Sequence, residues 1–193
     1  MRVRIVCRQA RSEGRSLHYE AEDWNDAADD SGLTPLMSLA GSNSMGEEKT
    51  ERLLALLDRG ADPLLKDELD ATVLHWIEWY PVDADFSAFL GKVLEAGVDV
   101  NESDGMGDTP LHRAIFPFGN TTNGSALVRW LLDHGADKDI RNDAGATPLD
   151  LARWVLSWTE EADDSGAREA DEETKRIMRY LEDRPSPGTG PSI

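Results

Sequence analysis

The 193 residues are 39% hydrophobic and 30% charged, a balance that supports a folded core and argues against wholesale disorder. A formal net charge of −18 speaks against recognition of nucleic-acid phosphates, which needs clustered Lys and Arg. It favours either a solvated acidic surface or a basic partner.

The first 23 residues differ in character from the rest of the chain. Five arginines (Arg2, Arg4, Arg8, Arg11, Arg15) precede the acidic stretch Glu20-Ala21-Glu22-Asp23. Val3, Ile5 and Cys7 fall at alternate positions among Arg2, Arg4 and Arg8, which suits a short strand in an N-terminal cap. The same composition suits a flexible basic arm that folds back on the acidic body, and the residues leave both open. Interrupted by arginines, this start has no signal-peptide core. No stretch reaches the ~20 apolar residues of a membrane span. Cys7 is the sole cysteine, so no internal disulfide and no zinc-ligand pattern is expected. The expectation is a soluble cytoplasmic protein.

From about Asn25 one pattern is written four times: a polar turn, Thr-(Pro)-Leu, a helix-length stretch, a second apolar helix, then Gly-Ala-Asp. The openings are Thr34-Pro35-Leu36, Thr72-Val73-Leu74-His75, Thr109-Pro110-Leu111-His112 and Thr147-Pro148-Leu149. The closings are Gly60-Ala61-Asp62, Gly97-Val98-Asp99 and Gly135-Ala136-Asp137. The threonines recur at separations of 38, 37 and 38 residues. A fixed period of this size predicts a stack of like units rather than a closed domain. In the third unit, Asp104 to Asp108 reads as a glycine-bearing turn. Thr109 is a fitting N-cap and Pro110 suits the first helical turn. Leu127, Val128, Leu131 and Leu132 line a second helix, which Gly135 ends as a left-handed C-cap.

These residues resemble the ankyrin repeat, from about Trp24 to Arg184. The resemblance implies an all-α solenoid of four helix-turn-helix units with finger-like β-turns, over residues 24–184. The repeats run about 29–66, 67–103, 104–141 and 142–184, between the N-terminal extension of residues 1–23 and a disordered Pro/Gly/Ser tail at 185–193. The sequence departs from the family in four ways. Each repeat exceeds the usual ~33 residues by about five, between its helices (Gly41 to Lys49, Pro81 to Ser87, Phe116 to Ser125), which makes a ridge along one side. Repeat two lacks the proline and places Asp70 where the turn takes Gly, so its finger is expected to be distorted. The fourth repeat lacks a closing Gly-Ala-Asp. Its second helix, about Glu172 to Asp183, is expected to cap the stack with Ile177, Met178 and Leu181 inward.

His75 and His112 fall where the family uses histidine for hydrogen bonds between units, so no catalytic role is expected of them. Asp83-Ala84-Asp85 and Asp137-Lys138-Asp139 lack the later ligands of a calcium loop. No metal, cofactor or phosphate-binding loop is expected. Aromatic residues carry the functional expectation: Trp76, Trp79 and Tyr80 in repeat two, Phe116 and Phe118 in repeat three, Trp154 and Trp158 in repeat four. Trp79, Phe116 and Trp154 each stand seven residues after a repeat threonine, so stacking aligns them. The resemblance puts that row beside the concave, ligand-contacting face, as interface anchors; equally, the row can form a secondary core beneath the lengthened loops. Glu68, Asp70 and Asp108 flank it, and Leu69, Met106 and Arg113 complete the expected binding surface. Aromatic faces beside carboxylates suit a cationic target.

The expected function is therefore a non-catalytic protein-binding module. With no second domain in the chain to deliver, a stand-alone inhibitor or immunity-type protein that sequesters a basic protein partner fits best, without nucleic acid or membrane; the oligomeric state is open. The alternative is a small-molecule binder or unconventional enzyme using an aromatic and acidic groove.

Overall fold

The computed structural model describes residues 25–42, 47–77, 83–115, 124–160 and 165–184, without the side chains of residues 47, 158–160 and 165–171. The N-terminal extension (1–23), the tail (185–193) and residues 43–46, 81–82 and 116–123 of the expected loops lie outside these residues. The loops' expected ends at Glu47 to Lys49, Ala84 to Ser87 and Gly124 to Ser125 are instead the first turns of helices. Among the described residues the chain is helical, without strands. The helices are α1 (Pro35–Ala40), α2 (Glu47–Asp58), α3 (Ala84–Glu95), α4 (Pro110–Arg113), α5 (Gly124–Asp133), α6 (Pro148–Glu160) and α7 (Ser165–Asp183); a 3-10 turn spans Val73–Trp76.

Each unit opens on a threonine because an extended residue with a side-chain acceptor starts a helix well. Thr34 Oγ1 accepts the N–H of Met37 at 3.3 Å. In repeats two and three the histidine completes the cap. The N–H of Thr72 donates to His75 Nδ1 at 3.0 Å, and that of Thr109 to His112 Nδ1 at 3.1 Å. Each ring must then carry its proton on Nε2. From there His75 donates to the carbonyl of Asp108 at 3.1 Å and His112 to that of Ala146 at 3.1 Å. Each histidine thus ties the start of one repeat to the finger of the next. Burial holds both imidazoles below the ordinary histidine range, against the favourable field of nearby carboxylates.

The second helices build the core. Phe86, Phe89, Leu90 and Val93 of α3 are fully buried, as are Leu53 of α2 and Val128 of α5. Burying a side chain of this size stabilises by about 1.5–3 kcal/mol. Trp130 on α5 is buried too, and its indole N–H donates to Ser87 Oγ on α3 at 2.9 Å. At the N-terminal end, Lys49 is buried and donates from Nζ to the carbonyls of Ala40 at 2.9 Å and Ser42 at 2.7 Å. It closes the end of α1 from the side of α2, and burial lowers its pKa to about 8.

Two expectations change. The second helix of repeat four begins at Ser165 rather than near Glu172, because Ala167, Arg168, Glu169 and Ala170 are strong helix formers despite the acidity of the stretch. Its inward face is as expected at Ile177 and Leu181, both buried, with Met178 packed beside them. Glu173, also buried, reaches across to accept the N–H of Ser125 at the start of α5, at 2.8 Å. The other change concerns finger two, which is not distorted. Asp70 takes φ +57°, a left-handed conformation open to Asp at a cost of about 1–2 kcal/mol, and the turn closes like its neighbours.

Candidate interaction surface

The four fingers are copies of one hydrogen-bonded turn. The N–H groups of Asp29, Asp67, Asp104 and Asn142 donate to the carbonyls of Leu33, Ala71, Asp108 and Ala146, between 2.9 and 3.1 Å. Those of Gly32, Asp70, Gly107 and Gly145 return to the same four leading residues at 2.8 to 3.1 Å. The leading side chain braces the loop from within: Asp67 Oδ1 accepts from Leu69 and Ala71, and Asp104 Oδ1 from Met106 and Asp108. Acid recurs at this position because one carboxylate oxygen can hold two backbone N–H groups that a tight turn would otherwise leave open.

Neighbouring fingers are joined backbone to backbone. Glu68 N–H donates to Ser31 O at 3.0 Å, Gly105 N–H to Leu69 O at 2.7 Å, and Asp143 N–H to Met106 O at 3.1 Å. The approach is close enough to demand glycine at the crossing. A Cβ on Gly107, whose φ is +75°, would sit 2.7 Å from Asp143 N and 2.8 Å from Asp143 Oδ1. In fingers one to three the tip N–H groups are spent on the bracing carboxylates and the tip carbonyls on the next finger, so these tips offer side chains rather than backbone.

Those tip side chains are Ser31, Leu69, Met106 and Ala144, one per finger. Leu69 is 59% exposed and Met106 is 61% exposed, and the Gly105–Leu69 bond puts them on adjoining tips. Glu68, Asp70 and Asp143 are exposed alongside, with Asp29 and Asp30 on the first finger. Lys66 pairs with Glu102 at 2.5 Å, a hydrogen bond that raises the lysine pKa against slight desolvation. Arg141 donates to Gly145 O at 2.6 Å and lies 3.6 Å from Asp150. The tips of fingers two and three therefore form a small apolar surface bordered by carboxylates.

Beneath the tips the expected site residues divide. Asp108 does not line the surface but is buried. It accepts from Asn142 Nδ2 at 2.8 Å and lies 3.7 Å from Arg113 Nε. Arg113 is committed to Asp104, with Nε at 2.9 Å and Nη2 at 2.5 Å from Oδ2. Desolvation pushes the Asp104 carboxyl up, and the Arg113 and backbone hydrogen bonds more than offset it, so its pKa falls. Trp76 does in repeat two what Arg113 does in repeat three: its indole N–H donates to Asp67 Oδ2 at 3.0 Å. These three residues hold the fingers in place. Glu68, Leu69, Asp70 and Met106 are at the surface. Of the expected aromatic row, Trp79 and Phe116 lie outside the described residues, as do Tyr80 and Phe118. Trp158 is on α6, its side chain outside the described set. Trp154, on the same helix, is 44% exposed.

Asp143 and Leu64 are exposed residues that no sequence motif marks. Asp143 is legible as the residue after the leading position of finger four, matching Glu68 and Gly105. Leu64, 51% exposed, lies away from the tips, where its Cδ2 comes 3.9 Å from a Cβ placed on Gly97. Asp150, an acid that a groove chemistry could call on, is exposed. Its pKa is lowered by the N–H and hydroxyl of Thr147, helped by Arg141 and Arg153. Among the described residues no group of His, Cys, Asp or Glu is placed to hold a metal ion, and no helix is long and apolar enough to cross a membrane.

Comparison with known proteins agrees with this architecture. The family model of the ankyrin repeat matches residues 106–143. Ankyrin repeat and SOCS box protein 11 of Danio rerio is 44% identical over 59 residues, 31% of this chain and 18% of that protein. Ankyrin repeat and SOCS box protein 16 of Mus musculus is 34% identical over 101 residues, 50% of this chain and 21% of its own length. Potassium channel AKT3 of Oryza sativa subsp. japonica is 39% identical over 72 residues, 37% of this chain and 7% of that one. The chain thus spans at most 21% of the length of these relatives. What they share with it is the repeat, a module of protein–protein interaction and generally non-enzymatic.

Proposed function

We propose that this ankyrin repeat protein is a non-catalytic module that sequesters a basic protein segment on the tips of fingers two and three, as an inhibitor or immunity-type protein would. One observation carries the reading: Leu69 and Met106 are both more than half exposed on adjoining fingers, with Glu68, Asp70 and Asp143 exposed around them. The turns that carry these side chains are hydrogen-bonded to one another, so their backbone is ordered before binding and little backbone entropy is lost when a partner covers them. The surrounding carboxylates select a cationic partner and steer its approach. Across the chain the net charge of −18 acts in the same direction.

The test titrates an arginine-rich peptide with interspersed valines into the wild type and into the Leu69→Ser/Met106→Ser variant by calorimetry. The variant should lose roughly 2–4 kcal/mol of binding, the range of two truncated anchors, while its circular dichroism is unchanged. Equal affinity for both proteins would remove the fingertips from the interface. The aromatic row enters the same assay as Trp79→Ala, Phe116→Ala and Trp154→Ala. If none of the three changes affinity, the row plays no part in recognition.

A further inference from the structure

The fingertip surface calls for a segment that mixes arginines with apolar side chains, and the chain carries such a segment itself. Residues 2–11 hold four arginines, no acidic residue, and Val3, Ile5, Val6 and Cys7. No other stretch of this acidic sequence has that composition. We propose that residues 2–11 are an intramolecular ligand of the fingertips: Val3 and Ile5 cover Leu69 and Met106, while the arginines meet the carboxylates of Glu68, Asp70 and Asp143. The N-terminal segment then competes with the partner, which must displace it. The proposal rests on the fingertip reading of function and adds a regulatory contact to it.

Connection and reach both allow it. The chain enters the stack at Asn25 and Asp26, tied down by Asn25 Nδ2 donating to Arg59 O at 2.6 Å and Asp26 Oδ1 accepting from Asp62 N at 2.8 Å. That anchor precedes the tip of finger one, Ser31, by five residues. The 13 residues from Ser12 to Trp24 can extend to about 45 Å. Fingers one to three, set by repeats packed at about 10 Å spacing, require roughly half of that. A tether of this length supplies an effective concentration in the millimolar range. Charge and apolar surface together choose the destination. The second helices also carry exposed acids, but theirs are partly met by Arg52, Lys92 and Arg129, whereas the exposed Leu69 and Met106 stand on adjoining tips beside Glu68, Asp70 and Asp143.

Cys7, the only cysteine in the sequence, gives a direct test on the full chain. A nitroxide attached there should broaden the amide signals of residues 68–70 and 105–107 at low salt and leave those around Lys92 and Arg129 sharp. Replacing Arg2, Arg4 and Arg8 by Gln, or adding molar salt, should restore the tip signals. Broadening that is uniform, or confined to residues 25–30 beside the anchor, overturns the proposal. A second measurement titrates the same arginine- and valine-rich peptide into the wild type and the Arg2→Gln/Arg4→Gln/Arg8→Gln variant. Relief from the tethered competitor should tighten binding about tenfold. Equal affinity refutes the competition and leaves the fingertip function standing. Tip broadening with no binding of the peptide to either protein sustains the intramolecular contact and refutes the partner reading instead.

Discussion

His112 offers the sharpest check on the link between repeats three and four. The residue is fully buried, as is Thr109. Its ring accepts the Thr109 N–H at 3.1 Å, contacts Thr109 Oγ1 at 2.9 Å and donates to Ala146 O at 3.1 Å. His112→Ala leaves the Thr109 N–H buried without an acceptor, worth about 1–3 kcal/mol. The Ala146 carbonyl is half-buried and recovers part of its loss from water. The ring-sized hole adds about 1–2 kcal/mol, because a packed repeat interface collapses only partly. The total is roughly 2–5 kcal/mol, a large share of a domain's stability. In a stack whose stability is a sum of units and interfaces, that loss falls on the coupling between repeats three and four. Urea unfolding followed by circular dichroism should therefore show a lower midpoint and a shallower slope. Hydrogen exchange at Ala146, Thr147 and Leu151 should accelerate far more than at Phe86 or Val93. A cost under about 1 kcal/mol with unchanged exchange in repeat four would refute the structural role and reopen His112 to a functional one.

Three further outcomes rest on the same geometry. Asp70→Gly relieves a positive φ and should stabilise by about 0.5–1 kcal/mol after the greater freedom of unfolded glycine is counted; Gly107→Ala should cost more than about 2 kcal/mol through strain and contact with Asp143, and both are read from urea midpoints. Arg113→Met strands the Asp104 carboxylate, whose side chain is fully buried, and should cost about 2–4 kcal/mol while moving the acid transition to higher pH; an unchanged acid midpoint would contradict the pairing. Stability should also fall as pH drops below the unfolded histidine pKa of 6.5. Both folded pKa values are lowered, so the unfolded chain binds protons first, with a limit of about 1.4 kcal/mol per histidine per pH unit. Asp104, whose folded pKa lies below 3.8, adds a further loss at lower pH. Equal urea midpoints at pH 8 and pH 5.5 would refute the neutral, buried histidines.

The repeat unit is legible in the sequence because its requirements are local. A threonine cap, a proline in the first turn, paired leucines and a closing glycine each act within a few residues of themselves. Their recurrence at 37 and 38 residues multiplies a weak signal into an architecture. The start of α7 escapes a sequence reading for a related reason: a run of acids reads as a loop, although a helix tolerates charge on a solvated face. Finger two escapes it because the sequence shows Asp70 in place of glycine but not the bonds from Asp67 and Ser31 that hold its turn in shape.

The division of the site residues is decided only by tertiary structure. Asp108 and Asp70 are both finger acids in the sequence, yet one is buried against Asn142 of the next repeat and the other faces water. Arg113 and Trp76 share no chemistry as residue types, but four positions after their threonines each meets a buried finger carboxylate. Leu69 and Met106 look like incidental loop residues until the Gly105–Leu69 hydrogen bond sets their fingers side by side. Local propensity specifies a turn or a helix. Which of its side chains remain available to a partner depends on the neighbouring repeat, 33 or more residues away in the chain, and that information exists only once the units are stacked.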